Sequence, residues 1–132
     1  MLYHMLVIWE LIMESKSYYL YLWQNTVVTP QGIVHRTCFG ITGDLDRRQN
    51  EYEGHVGNNV VFLHVWEGPE RVIRTLESKV KDTFMDHRFV GHRKFRYEWI
   101  TEAIPLQQIV KYLEWEIEII PTVTRILGAP EQ

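Results

Sequence analysis

Apolar and polar positions in the first third of the chain predict an antiparallel hairpin. Tyr18–Trp23 is an aromatic run, and residues 33–41 form a second run with strand propensity. Thr29-Pro30-Gln31-Gly32 lies between them and places Pro and Gly at their usual positions in a turn. Leucine alternates with tyrosine and tryptophan in the first run, so we expect a central strand that is buried on both faces.

Turn residues and helical periodicity predict the elements that follow the hairpin. Proline favours the first turn of a helix, and apolar residues after Pro105 recur at helical spacing. The expected elements are a helix from Asp44 to about Glu53, a loop at 54–59, a buried strand at Val60–Trp66, a helix from Gly68 to about Met85, a loop at 86–96, a strand at 96–100 and a helix at 105–120.

This order of elements is an α+β pattern rather than a doubly wound one. The 132 residues, 45% of them apolar, are enough to close one hydrophobic core. No internal repeat or linker divides the chain. We therefore expect a single domain over residues 1–132.

The N-terminal segment and the single cysteine indicate where the protein works. Residues 1–13 are mostly apolar, but His4 and Glu10 interrupt a run that is shorter than the roughly 20 residues of a membrane span. The segment also lacks the pattern of a signal peptide, so we expect a core or interface segment and no membrane partner. Cys38 is alone and cannot form an internal disulfide, which favours a reducing, cytoplasmic location over a secreted one.

Charge is unevenly distributed along the chain. The net charge of −3 excludes a strongly basic nucleic-acid-binding coat. The segment Asp86–Glu98 is nevertheless locally basic, and aromatic residues lie between its cations, a composition that suits contacts with phosphates and bases. A solvated surface loop is the alternative. The candidate nucleic-acid-binding residues are Arg88, Arg93, Lys94 and Arg96.

Two charged residues fall on helix faces that otherwise point to the core. Arg48 shares a stripe with Leu45 and Tyr52, and Glu77 lies at the rim of an apolar stripe on the next helix. A charge near a core must be solvated, paired or bound to an ion. The alternatives to a functional role are an Arg48 head group that reaches water and an ion pair between Glu77 and Arg74.

Together these residues resemble a GIY-YIG nuclease domain, over roughly residues 18–100. The two strand motifs correspond to Tyr19-Leu20-Tyr21 and Cys38-Phe39-Gly40, and the most specific stretch is Phe39–Tyr52. The residues that match family site positions are Tyr21, the motif glycine Gly40, the catalytic arginine Arg48, the His/Tyr position Tyr52 and the metal-binding glutamate Glu77.

The resemblance implies a small antiparallel sheet of three strands, or slightly more, flanked by helices. It further implies a small stand-alone endonuclease that hydrolyses DNA and is of phage or mobile-element type, including one that acts in a phage-infected host. It also implies that Glu77 binds Mg²⁺ or Mn²⁺, which stabilises the leaving oxygen, while Arg48 neutralises charge on the phosphate. Tyr21 would position the attacking water, and Tyr52 would complete the polar cluster. Residues 1–17 and the C-terminal helical appendage 101–132 lie outside the resemblance and are candidate surfaces for homo-oligomerisation.

Two positions depart from the family pattern. Cys38 stands where the family has its second tyrosine, and Tyr19 stands where it has its first glycine. The leading hypothesis is a metal-dependent DNA endonuclease, and the alternative is a catalytically impaired nucleic-acid-binding protein of the same fold. A third hypothesis is an assembly protein that uses residues 1–17 and the acidic C-terminal helix.

Overall fold

The computed structural model describes residues 17–56, 60–84, 99–101 and 104–128. Within these ranges the predicted α+β class is confirmed, with five strands and three helices. In chain order the elements are β1 (Ser17–Thr29), β2 (Gly32–Thr42), α1 (Leu45–Val56), β3 (His64–Pro69), α2 (Glu70–Thr83), β4 (Trp99–Thr101), α3 (Leu106–Ile117) and β5 (Thr124–Leu127).

The strands form one antiparallel sheet in the order β4-β2-β1-β3-β5. The hairpin of β1 and β2 pairs from Tyr19 opposite Thr42 to Thr29 opposite Gly32. Gly32 has a φ of +124°, which a residue with a Cβ rarely adopts, so the turn depends on glycine there. β1 lies at the centre of the sheet, as its two apolar faces predicted.

The two faces of the sheet carry separate hydrophobic clusters. Even-numbered residues of β1, such as Leu20 and Leu22, pack against α2 and α3. Odd-numbered residues, such as Tyr21 and Trp23, pack with α1 and with the buried Val60 and Phe62. Helices α1 and α2 therefore lie on opposite faces of the sheet. None of the helices in the described ranges combines the length and apolarity that crossing a membrane requires.

Several predicted bounds differ from those in the structure. The strand expected at Val60–Trp66 begins at His64 and continues to Pro69, because its pairing with β1 extends to Ser17. Pro69 is consequently the N-cap of α2 rather than a residue of its first turn. The short strand expected at 96–100 is found at Trp99–Thr101, and β5 was not predicted. The N-terminal segment 1–16 lies outside the described residues.

Candidate functional site

A cavity of about 280 Å³ opens at the end of β2, and its walls come from both faces of the sheet. Arg48 reaches it from α1, and Glu77 reaches it from α2, around the strand end at Gly40. The structure therefore brings together the predicted glycine, arginine and glutamate of the site. The other residues that line the cavity are Tyr18, Ile41, Arg74 and Lys81.

Arg48 is positioned by the first turn of α1. The Asp44 carboxylate accepts a hydrogen bond from the backbone N–H of Arg47 (3.1 Å), so Asp44 caps the helix as predicted. Tyr52, one turn after Arg48, is buried, which turns the shared stripe of the helix toward the sheet. The Arg48 side chain is 25% exposed, and its Nε lies 3.5 Å from Glu51 Oε2. The Asp44 cap and the buried Tyr52 thus fix α1 against the sheet, and the helix holds the Arg48 guanidinium at the cavity.

Glu77 is held at the cavity by its position beside buried residues of α2. Ile73, Leu76 and Val80 are buried, while the Glu77 side chain keeps 16% of its surface exposed. Its Oε1 lies 3.5 Å from Nζ of Lys81, one turn farther along the helix. The alternative interpretation, an ion pair between Glu77 and Arg74, is not found among the described contacts, and Glu77 pairs with Lys81 instead. The pKa of Arg74 is nevertheless raised, first by its hydrogen bond to Glu70 and in smaller part by the charge of Glu77.

Arg74 forms the other side of the cavity together with Tyr18. Its Nε donates to Glu70 Oε2 (2.9 Å) and its Nη2 donates to the Tyr18 hydroxyl (3.4 Å), while the guanidinium lies 5.2 Å from the centre of the Tyr18 ring. The hydrogen bond to Glu70 raises the pKa of Arg74 above its ordinary value, so the guanidinium stays charged. A Cβ on Gly43 would lie 3.1 Å from the Tyr18 ring, so glycine leaves room for this phenol.

The cavity lining is rich in positive charge. Of its described lining residues, Arg48, Arg74 and Lys81 are cationic and Glu77 is anionic. Each cation also has a carboxylate neighbour, but these pairs are partly exposed and contribute little to stability. A phosphate group can therefore exchange with those carboxylates and bind to guanidinium and ammonium donors, which suit phosphate oxygens.

The ligands available at Glu77 can be compared with those that a divalent metal requires. No group of three or more His, Cys, Asp or Glu side chains in the described part of the chain could hold a metal ion. Mg²⁺ often binds through one or two carboxylates and takes its other ligands from water and substrate phosphates. One partly exposed carboxylate in a cavity suited to phosphate fits that mode of binding. It does not fit a metal held by protein ligands alone.

Tyr21 and Tyr52, both predicted as site residues, lie together in the cluster on the α1 face. Their hydroxyl groups are hydrogen-bonded to each other, and Tyr21 has no exposed surface. The Tyr21 ring stacks on Phe62 with 4.6 Å between the ring centres. Neither tyrosine lines the cavity. Their hydroxyls are out of reach of a substrate in this arrangement, and their catalytic role stays a prediction.

Cys38 belongs to the same buried cluster as Tyr21 and Tyr52. Its side chain is almost fully buried, and its Sγ lies 3.7 Å from the carbonyl oxygen of Arg36. The register pairs it with Trp23 across the hairpin. The thiol therefore contributes to packing and does not line the cavity.

Removing the Tyr52 hydroxyl and removing its ring are expected to differ in their effect on stability. Tyr52→Ala should lower the free energy of unfolding by about 3–5 kcal/mol, because a buried aromatic ring is lost. Tyr52→Phe should cost about 1–2 kcal/mol, because the hydrogen bond to Tyr21 is lost. Urea unfolding followed by circular dichroism measures both. Tyr112→Phe, which removes a partly buried hydroxyl bonded to Glu116, is the matched control. Equal losses of unfolding free energy in the two Tyr52 variants would contradict the prediction that the ring contributes more to stability than the hydroxyl.

Sequence reasoning missed Tyr18, Lys81 and the cavity role of Arg74. The alternation along β1 was the available signal, since it places Tyr18 and Tyr21 on opposite faces. The predicted nucleic-acid-binding residues lie outside the described residues; they are Arg88, Arg93, Lys94 and Arg96.

The chain was compared with protein-family models, with curated proteins and with solved structures, and none of the three comparisons found a match.

Proposed function

We propose that this protein is a metal-dependent DNA endonuclease that hydrolyses phosphodiester bonds at the cavity beside Gly40, through a GIY-YIG-type site. One observation carries the proposal. Arg48 and Glu77, selected from the sequence on separate helices, line one cavity although their helices lie on opposite faces of the sheet. The α+β fold with its antiparallel sheet is compatible with that family.

The cationic residues account for substrate binding in this proposal. Hydrolysis adds water across a P–O bond, so the site must stabilise negative charge on the phosphoryl oxygens and on the leaving oxygen. Arg48 donates to a non-bridging oxygen of the scissile phosphate, where the charge grows in the transition state. Arg74 and Lys81 bind phosphate oxygens from the α2 side of the same cavity.

Glu77 is the residue that would hold Mg²⁺ or Mn²⁺. The bound cation would supply charge stabilisation to the leaving oxygen. The Tyr18 hydroxyl accepts a hydrogen bond from Arg74, and it can donate its own proton to a phosphate oxygen or to a water in the cavity. Tyr21 and Tyr52 act as positioning residues, because their hydrogen bond joins α1 to β1 one helical turn from Arg48.

A plasmid cleavage assay tests this proposal. Supercoiled DNA should be nicked or linearised in the presence of Mg²⁺ or Mn²⁺ and should stay intact in EDTA. Gel electrophoresis measures the conversion over time. Intact supercoiled DNA under all metal conditions, with a protein that circular dichroism shows to be folded, would contradict the endonuclease proposal.

A second candidate function is nucleic-acid binding without cleavage. The observation that favours it is the burial of Cys38 and Tyr21, because neither of the motif positions that the family uses for tyrosine lines the cavity. This candidate accounts for intact plasmid together with duplex binding that weakens as salt rises, since phosphate contacts release counterions. The plasmid assay and a salt series of binding measurements separate the two functions.

A further inference from the structure

The β1–β2 hairpin extends beyond the rest of the sheet. β3 pairs with Ser17–Leu22, and β4 pairs with Thr37–Phe39. In the part of the chain that the structure describes, residues 25–29 and 32–36 therefore pair with each other and with no third strand, and Gln24, opposite Thr37, lies at the base of this extension. We call residues 24–36 the ribbon. At about 3.4 Å per residue, it projects roughly 20 Å past the end of β3.

The ribbon lies in a stretch of the sequence that lacks carboxylates. The chain has 17 Asp and Glu residues in 132, yet the 27 residues from Ser17 to Gly43 contain none. The exposed polar side chains of the ribbon are neutral hydrogen-bonding groups and one imidazole: Gln24, Thr26, Gln31 and His35. Such a surface can approach a polyanion without repulsion and can form hydrogen bonds with it.

One face of the ribbon is an ordered strip of these side chains. Thr26 and His35 are cross-strand partners, and their side chains are hydrogen-bonded (Thr26 Oγ1 to His35 Nδ1, 3.0 Å). Farther out, Val28 and Ile33 are partners on the same face and are 80% and 68% exposed.

The turn at the end of the ribbon is also ordered. The Thr29 hydroxyl donates to the carbonyl of Gly32 (2.9 Å) and accepts from the backbone N–H of Gln31 (3.3 Å). A surface that is already ordered loses less conformational entropy when it binds.

We propose that the ribbon enters the major groove of duplex DNA and reads bases beside the cleavage site. The major groove admits a two-stranded β-ribbon. Gln24 and Gln31 carry amide groups that suit the edge of adenine, and His35 can donate to guanine. Val28 and Ile33 can pack on thymine methyl groups, which accounts for apolar exposure at the tip. The inference rests on the proposed function in taking duplex DNA as the substrate.

The position of the ribbon relative to the cavity determines how far the bases contacted by the ribbon lie from the scissile phosphate. β2 runs continuously from the ribbon to Gly40 at the cavity. Gly40 follows Ile33 by seven positions, which corresponds to about 24 Å along the strand. At about 3.4 Å per base pair, the ribbon tip would lie at most about seven base pairs from the scissile phosphate, a limit reached when β2 is parallel to the duplex axis.

Two double variants with the same charge change test the inference. Gln24→Glu with Gln31→Glu places two carboxylates on the ribbon, and Gln107→Glu with Gln108→Glu places two on the exposed side of α3. Fluorescence anisotropy in EDTA measures binding to a fluorescein-labelled duplex of mixed sequence. The ribbon variant should bind at least tenfold more weakly than the unmodified protein, and the α3 variant should bind within twofold of it.

Hydrolysis of bis(p-nitrophenyl) phosphate distinguishes an effect of the ribbon on DNA binding from an effect on the cavity. This small diester reaches the cavity but is too short to reach the ribbon, so the ribbon variant should hydrolyse it at the unmodified rate in Mn²⁺. If the unmodified protein leaves plasmid DNA intact under all metal conditions but duplex binding still depends on the ribbon, the endonuclease proposal fails and the ribbon inference stands.

Three results would overturn the ribbon inference. They are equal duplex binding by the two double variants, no duplex binding by the unmodified protein, and a dimer in sedimentation analysis that the ribbon substitutions dissociate. The last result would show that the ribbon contacts a second copy of the chain.

Discussion

Glu77→Gln should reduce metal-dependent DNA cleavage by about 10³-fold or more, because the substitution removes the carboxylate proposed to hold the divalent cation. The fold should persist. The ion pair with Lys81 is partly exposed, and such a pair is worth no more than about 1 kcal/mol. Initial rates of plasmid nicking in Mg²⁺ and Mn²⁺ measure the effect, and circular dichroism verifies folding.

Asp82→Asn is the matched control for this experiment. Asp82 lies on the same helix, its side chain is exposed, and it does not line the cavity. We expect its cleavage rate to stay within about threefold of the unmodified protein, since surface substitutions away from a site have small effects. Cleavage by Glu77→Gln at the control rate would show that Glu77 is not the metal ligand.

Arg48→Met should lower the cleavage rate by about 10²–10³-fold, the usual cost of losing one donor that stabilises transition-state charge. Methionine keeps much of the apolar stem, so the packing of α1 should change little. Arg48→Lys should recover only part of the rate, because an ammonium lacks the planar fork of a guanidinium. Rates of plasmid nicking at saturating metal compare the unmodified protein with Arg48→Met and Arg48→Lys.

Arg47→Met provides the control for Arg48. Arg47 precedes Arg48 on α1, is exposed, and lies 3.7 Å from the Glu51 carboxylate that also approaches Arg48. Its side chain does not line the cavity, so the cleavage rate should stay within about threefold of the unmodified protein. Equal losses at positions 47 and 48 would instead indicate a general effect of charge on DNA binding.

The sequence allowed prediction of the hairpin, of the start of α1 and of a common site for Arg48 and Glu77. Each of these predictions depends on signals from residues that are close together in the chain. Pro and Gly in the turn fix where the hairpin reverses, and Asp44 fixes where α1 begins. Charges placed beside apolar stripes marked Arg48 and Glu77. The resemblance to a nuclease motif then assigned them to one site, and the cavity brings them together.

The features that were missed depend on contacts between distant parts of the chain. β5 is four residues long and pairs with β3 across a bulge between Val65 and Trp66, so little in its own sequence identifies it as a strand. Tyr18 and Tyr21 are equally good candidates for a phenol at the site until the faces of the sheet are assigned. Lys81 competes with Arg74 for Glu77, and helical spacing permits both pairs. The choice between them follows from Arg74 turning toward Glu70 and Tyr18.

The placement of the cavity around the end of β2 has a consequence for how the protein can change during evolution. The Arg48 side is supported by the cluster on the α1 face, and the Glu77 side by the cluster on the α2 face. The sheet separates the two clusters, and substitutions that share no contacts tend to be additive. Each cluster can therefore be repacked independently, while the sheet between them keeps α1 and α2 on opposite sides of the strand end where Arg48 and Glu77 meet.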